Sequence, residues 1–113
     1  MTEERRGPDA SEAYVEAVLR VVEQVPPGHA TTYSLIADAV GRSGPRQVGR
    51  VLAMYGGSVP WWRVVRADGS LPPSHQREAL SHYREESTPL CGSLTVARKL
   101  RVDLGQALWL PLS

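Results

Sequence analysis

The segment TYSLIADAVGRSGPRQVGRVLAMY, Thr32 to Tyr55, decides how this chain folds. Leu35, Ile36 and Val40 fall on one stripe of a helical period, Thr32 stands where an N-cap belongs, and Gly41 supplies the left-handed residue that closes a helix. Gly41 to Gly44 reads as a tight turn. Pro45 then occupies the first position of a further helix, whose apolar stripe is Val48, Val51, Leu52 and Tyr55 and whose end is marked by Gly56 and Gly57. Two helices joined by such a turn make a helix-turn-helix, the arrangement that offers its second helix to DNA. Arg46, Gln47 and Arg50 stand on the exposed face of that helix. The same residues also read as an ordinary solvated face.

Ahead of this segment, Tyr14, Val15, Val18, Leu19, Val22 and Val25 recur at helical spacing, with Ser11 or Asp9 as N-cap and Pro26-Pro27-Gly28 as the stop. Residues 1–10 are charged, hold Gly7 and Pro8 and show no apolar period, which predicts a mobile leader before a single domain over 11–113. Behind it, Val59 to Val65 is a short apolar run leading to Asp68-Gly69, predicting a strand and a turn. Leu71 to Ser74 reads as a proline-containing loop and Gln76 to Glu86 as a helix with Ala79, Leu80 and Tyr83 on one side. Leu100, Val102 and Leu104 alternate before Ala107, Leu108 and Trp109, a short strand or irregular wrap that packs Trp109 on the core. The expected architecture is mainly α, a winged-helix-like three-helix domain with a helix-turn-helix and a short β element.

With 113 residues, 42% hydrophobic and 22% charged, the chain has the size and composition of one folded domain, and a net charge of +1 makes any basic surface local. One cysteine, Cys91, supports neither an internal disulfide nor a cysteine metal cluster, and His29, His75 and His82 show no ligand spacing with it, so no metal and no cofactor are expected. No run reaches the roughly 20 apolar residues of a membrane span, and the N-terminus lacks a secretory h-region, so the expected location is cytoplasmic. Phe is absent while Trp occurs three times, twice adjacently at Trp61-Trp62. If that piece is extended, the two indoles point opposite ways, Trp61 to a pocket and Trp62 to the core.

Four ordered blocks then carry a specific likeness: Val25-Pro26-Pro27-Gly28, Thr32 to Ala37, Gly44-Pro45-Arg46-Gln47-Val48-Gly49, and Pro60-Trp61-Trp62-Arg63-Val64-Val65 with Asp68-Gly69. Over roughly residues 14 to 87 the chain resembles the DNA-binding domain of the O6-alkylguanine-DNA alkyltransferases. In the active members the last block reads Pro-Cys-His-Arg, the cysteine taking the alkyl group and the histidine activating it. Here both are tryptophan. An indole offers neither an acid ionising near neutral pH nor a thiolate, so Trp61 is no alkyl acceptor and no catalytic residue is expected. The chain is thus similar to the alkyltransferase-like proteins, which have Trp at the acceptor position but commonly keep the histidine that Trp62 replaces.

The resemblance implies a non-enzymatic protein, acting as a monomer, that binds duplex DNA containing O6-alkylguanine, flips the base and marks it for nucleotide excision repair proteins. Arg46 is implied as the finger entering the stack and Tyr33 as the residue pressing on the backbone; taken alone, Tyr33 also reads as a packing residue. Trp61 is implied as part of the lesion pocket. Thr32, Gln47, Gly49 and Arg50 join Arg46 at the DNA, with Gly49 letting the helix lie close to the minor-groove walls. The Leu52 to Pro60 connection looks shorter than in the enzymes, and the Leu71 to Gln76 loop lacks their glycine-rich segment, leaving Ser74, His75 and Gln76 as polar contacts. Arg63 reads as a structural clasp. Glu86, aligned with the glutamate that orients the missing histidine, reads as structural or a remnant. The rival functions are a winged-helix transcription regulator and a residual alkyltransferase using Cys91.

Overall fold

Local chemistry sets each helix boundary in the central segment. The computed structural model describes residues 10–92 and 100–111. Its first helix, α1 (Ala10–Gln24), opens one residue before the predicted domain start; Ser11 is already helical, and residues 1–9 of the predicted leader, Asp9 among them, lie outside the described residues. The Thr31–Thr32 strand (β1) leads into α2 (Tyr33–Val40), where Thr32 Oγ1 accepts the Leu35 N–H at 3.1 Å and satisfies a donor that the helix start leaves orphaned. Gly41, at φ 84°, closes α2 with its N–H on the Ala37 carbonyl at 2.9 Å. Pro45 opens α3 (Pro45–Tyr55), and Gln47 Oε1 reaches back to the Gly44 N–H at 3.2 Å, serving the helix start where Gly44 has no side chain to do so.

The predicted strand over Val59 to Val65 forms only at its end. Trp61–Arg63 is a 3-10 turn, followed by β2 (Val64–Val65), which pairs parallel with β1 in the register Thr31↔Val64 and Thr32↔Val65. Because alternate strand residues face opposite sides, Val64 enters a core built with Val18, Val22, Ile36, Val48 and Val51, while Val65 enters a second with Leu71, Ala79, Tyr83, Val102 and Ala107. The first core holds the helix-turn-helix on α1. The second carries Trp61 and Trp62 on its edge.

The predicted Asp-Gly turn is present. Arg66 and Gly69 close it, and Gly69 at φ 87° leaves its α-carbon face against Val102, whose carbonyl oxygen would collide with any β-carbon added there. The helix expected from Gln76 begins three residues earlier: α4 spans Pro73–Glu86, with Pro73 at its start where a missing N–H costs nothing. Ser74 and His75 are therefore first-turn helical residues and not loop residues. Beyond α4, β3 (Leu90–Cys91) pairs antiparallel with β4 (Arg101–Val102), and α5 (Leu104–Ala107) follows. Trp109 is only half buried; its backbone N–H bonds to the Ala30 carbonyl at 2.8 Å, and Val102 and Ala107 fill the core place predicted for it. Among the described residues no helix is long and apolar enough to cross a membrane.

Candidate nucleic-acid interface

A cleft of about 310 Å³ opens between α3 and α4, a volume at the lower end of those that take small ligands. Trp61 forms one wall with Tyr33 beside it; Gly49, Leu52 and Ala53 come from α3, and Leu71, Pro72, His75 and Glu78 from the other side. The two glycines after α3 also border it, and a β-carbon on Gly56 would touch Leu52 at 3.4 Å and Trp61 at 3.7 Å. Apolar walls with few polar groups suit the face of a flat heterocycle.

Trp61 is held by rings on three sides, lying edge-on to Trp62 and His75 at 5.6 Å each and to His82 at 6.1 Å. Trp62 turns away from the cleft, which follows from the 3-10 turn and needs no extended alternation. Its indole stacks on His82 with centroids 3.5 Å apart and planes 5° from parallel, and its Nε1–H donates to Glu86 Oε2 at 3.0 Å. Glu86 is thus a junction. It also accepts from the Gly28 N–H at 3.2 Å and from Arg63 Nε at 3.1 Å, while Arg63 Nη2 completes a forked pair and Nη1 donates to the Val25 carbonyl at 2.9 Å. Burial would raise the Glu86 carboxyl, but hydrogen bonds from Arg63, Gly28 and Trp62 outweigh it and hold the group below the ordinary carboxylate value. Tyr83 ties the same turn from below, donating its hydroxyl to the Trp62 carbonyl at 2.7 Å, and burial pushes its phenol well up.

Tyr33 opens α2 with its ring against Gly49, whose added β-carbon would lie 3.9 Å away. Burial raises its phenol too, opposed by the Arg66 charge. Along α3, positions three and four apart share a face, so Arg46, Gly49 and Ala53 make one stripe that runs to the cleft. Gln47, Arg50 and Met54 make the neighbouring stripe, which borders a separate groove with Tyr14 and Val15 of α1. All three polar residues are exposed.

The sequence-predicted residues are therefore divided. Tyr33, Trp61, Gly49 and His75 meet at the cleft; Arg46 lies on the stripe leading to it; Gln47 and Arg50 lie one stripe over. Thr32 is 8% exposed with its hydroxyl spent on the α2 cap. Ser74 is exposed beside His75, Oγ to Nδ1 3.2 Å, but does not line the cleft. Gln76 is buried and donates to the Leu71 carbonyl at 3.2 Å. Glu78 escaped sequence reading. Had the helix been started at Pro73, its three-residue spacing from His75 would have put it on the same face. Cys91 lies in β3 and not on the cleft, and among the described residues no three His, Cys, Asp or Glu side chains come together as a metal-holding group.

Residues 13–86 match the family model for the 6-O-methylguanine DNA methyltransferase DNA-binding domain. Among solved structures the chain is similar to S. pombe Atl1 in complex with damaged DNA containing O6-carboxymethylguanine, at 26% identity and TM-score 0.75, over 88% of this chain and 97% of that one. It is similar to S. pombe ATL in complex with DNA at 27% identity and TM-score 0.74, over 92% and 100%. The M. tuberculosis O6-methylguanine methyltransferase matches at 27% identity and TM-score 0.50, over 80% of this chain and 56% of that one. Comparison with curated proteins gives no match.

Proposed function

Since the chain belongs to the family of the O6-methylguanine DNA methyltransferase DNA-binding domain, we propose that it recognises O6-alkylguanine in duplex DNA without repairing it. The observation that carries this reading is the Trp61-walled cleft, which Gly49 and Ala53 of the Arg46–Gly49–Ala53 stripe of α3 help to line. The likeness to the S. pombe protein bound to damaged DNA supports it.

From the minor groove a stacked guanine's O6, which faces the major groove, is out of reach, so the altered guanine leaves the helix and enters the cleft, where Trp61 gives its face a stacking surface. Arg46 fills the gap left in the duplex, and Tyr33 braces the sugar-phosphate backbone beside it. Gly49 lets α3 lie close to the minor-groove wall, while Gln47 and Arg50 meet phosphates or sugars, which position the protein without reading sequence. Thr32 contributes by fixing the start of α2. No alkyl transfer follows, because the cleft presents no thiol and Cys91 lies elsewhere. The flipped, unrepaired base is then the mark that nucleotide excision repair proteins take up.

Titration of one duplex with and without a single O6-methylguanine tests the reading, with 2-aminopurine beside the lesion to report unstacking. Tighter binding to the lesion with a rise in 2-aminopurine fluorescence is expected. Equal affinity for the two duplexes, or a preference set by sequence alone, would overturn it in favour of an ordinary helix-turn-helix regulator.

A further inference from the structure

The polar edge of the cleft carries a charge to which no role has yet been given, and this extends the proposed function to the choice of lesion. Among the described residues lining the cleft, Glu78 is the one Asp or Glu, and no Lys or Arg lines it. It stands three residues after His75 on α4, so the two side chains share a helix face, and His75 is fixed edge-on to Trp61 at 5.6 Å. Trp61, His75 and Glu78 line the same cleft, so a base taken up against Trp61 shares it with the Glu78 carboxylate. Charged residues elsewhere, Arg46 and Arg50 on α3, Arg66 after β2 and Arg77 on α4, are exposed and outside the lining.

We propose that Glu78 is a specificity-determining residue: its carboxylate biases the cleft toward O6 substituents that are neutral or cationic and against those that are anionic. The physical ground is like-charge repulsion between groups sharing one cleft, which acts on a carboxymethyl adduct and leaves a hydroxyethyl adduct of similar size untouched. The inference rests on the damage-recognition reading. Its size is bounded by the exposure of Glu78, since an exposed charge interacts with energies that correspond to roughly a two- to fivefold change in affinity.

The test compares four duplexes of one sequence, bearing guanine, O6-methylguanine, O6-(2-hydroxyethyl)guanine or O6-carboxymethylguanine, against the full chain and its Glu78→Gln and Glu78→Asp variants at pH 8. The parent and the Asp variant should bind the hydroxyethyl adduct more tightly than the carboxymethyl adduct, and Glu78→Gln should shrink that ratio by roughly two- to fivefold. Raising the salt should shrink it in the parent and leave it flat in the Gln variant. Taking a ratio removes the general gain in DNA affinity expected on losing any negative charge. A ratio unchanged by Glu78→Gln, with the preference for methylated over plain duplex intact, would overturn this inference alone. Loss of any preference for alkylated DNA in the parent would overturn the damage reading and this inference together.

Discussion

Replacing Glu86 by Gln should remove about 3 kcal/mol of stability and loosen the turn that carries Trp61, even though Glu86 does not touch the cleft. One carboxylate receives hydrogen bonds from Gly28 in the turn after α1, from Trp62 and from both sides of the Arg63 fork. An amide keeps the shape but presents NH₂ to one side of a ring of donors, and it leaves the guanidinium of Arg63, whose side chain is 14% exposed, without its counter-charge. Breaking a buried pair from one side costs roughly 3–5 kcal/mol, and the residual exposure here places the expected loss at the lower end. Against a domain stability of about 5–15 kcal/mol that is a large fraction, corresponding to roughly 10–15 °C in Tm. The effect carries a pH signature. Because the folded-state carboxyl lies below its ordinary value, Glu86 contributes stability that is fully present above that value, about 4.3, and is lost as pH falls through the lower folded one. Urea unfolding followed by tryptophan fluorescence and circular dichroism should therefore show the parent and Glu86→Gln far apart at pH 7 and converging below about pH 4. A double-mutant cycle with Arg63→Met should give a coupling of at least about 1 kcal/mol. A loss under about 0.5 kcal/mol at pH 7, or a gap independent of pH, would refute the idea that this carboxylate is the clasp.

Other outcomes follow from the same geometry. Truncating Trp61 to Ala should lower affinity for alkylated DNA by about 1–3 kcal/mol, the scale of one base stack, for methyl and bulkier adducts alike; unchanged affinity in a folded variant would make Trp61 a packing residue only. Arg46→Ala should reduce the ratio of lesion to plain binding, whereas Arg50→Ala, on the neighbouring stripe, should flatten the salt dependence by about one phosphate and leave the ratio nearly intact. Equal losses of lesion preference in titrations of the two variants would count against a finger role for Arg46. Gly49→Ala should fold normally, because the added carbon meets Tyr33 at an ordinary 3.9 Å, yet bind DNA more weakly if α3 lies against the groove wall; full DNA affinity in that variant would exclude so close an approach. Incubated in excess with O6-methylguanine DNA, the parent should leave the lesion intact and its own mass unchanged, and Trp61→Cys should transfer poorly for want of a base at Trp62; nucleoside digestion and mass spectrometry would expose a methyl group on Cys91.

Residue order alone sets the helix-turn-helix, because its boundaries depend on local chemistry: Thr32 caps with its own hydroxyl, Gly41 tolerates a left-handed backbone, and Pro45 needs no N–H partner at a helix start. It also determined that Trp61 lacks the chemistry of an alkyl acceptor, which is a property of an indole wherever it sits. What surrounds Trp61 was set by packing between segments distant in the chain. The directions of the two indoles depend on a 3-10 turn that apolar composition does not distinguish from a strand, and that turn is fixed by Tyr83 and Glu86, 21 and 24 positions beyond Trp62, with Glu86 itself held by Gly28 58 positions before it. Ser74 and His75 became helical because Pro73 suits a first turn as well as a loop, a choice settled by Gln76 tucking under Leu71 and Ala79 entering the second core. The same shift brought Glu78 to the cleft. Long-range hydrogen bonds and shared burial leave no periodic trace in sequence, so the pocket's wall and its clasp became legible only once α4 was packed against the turn after α3.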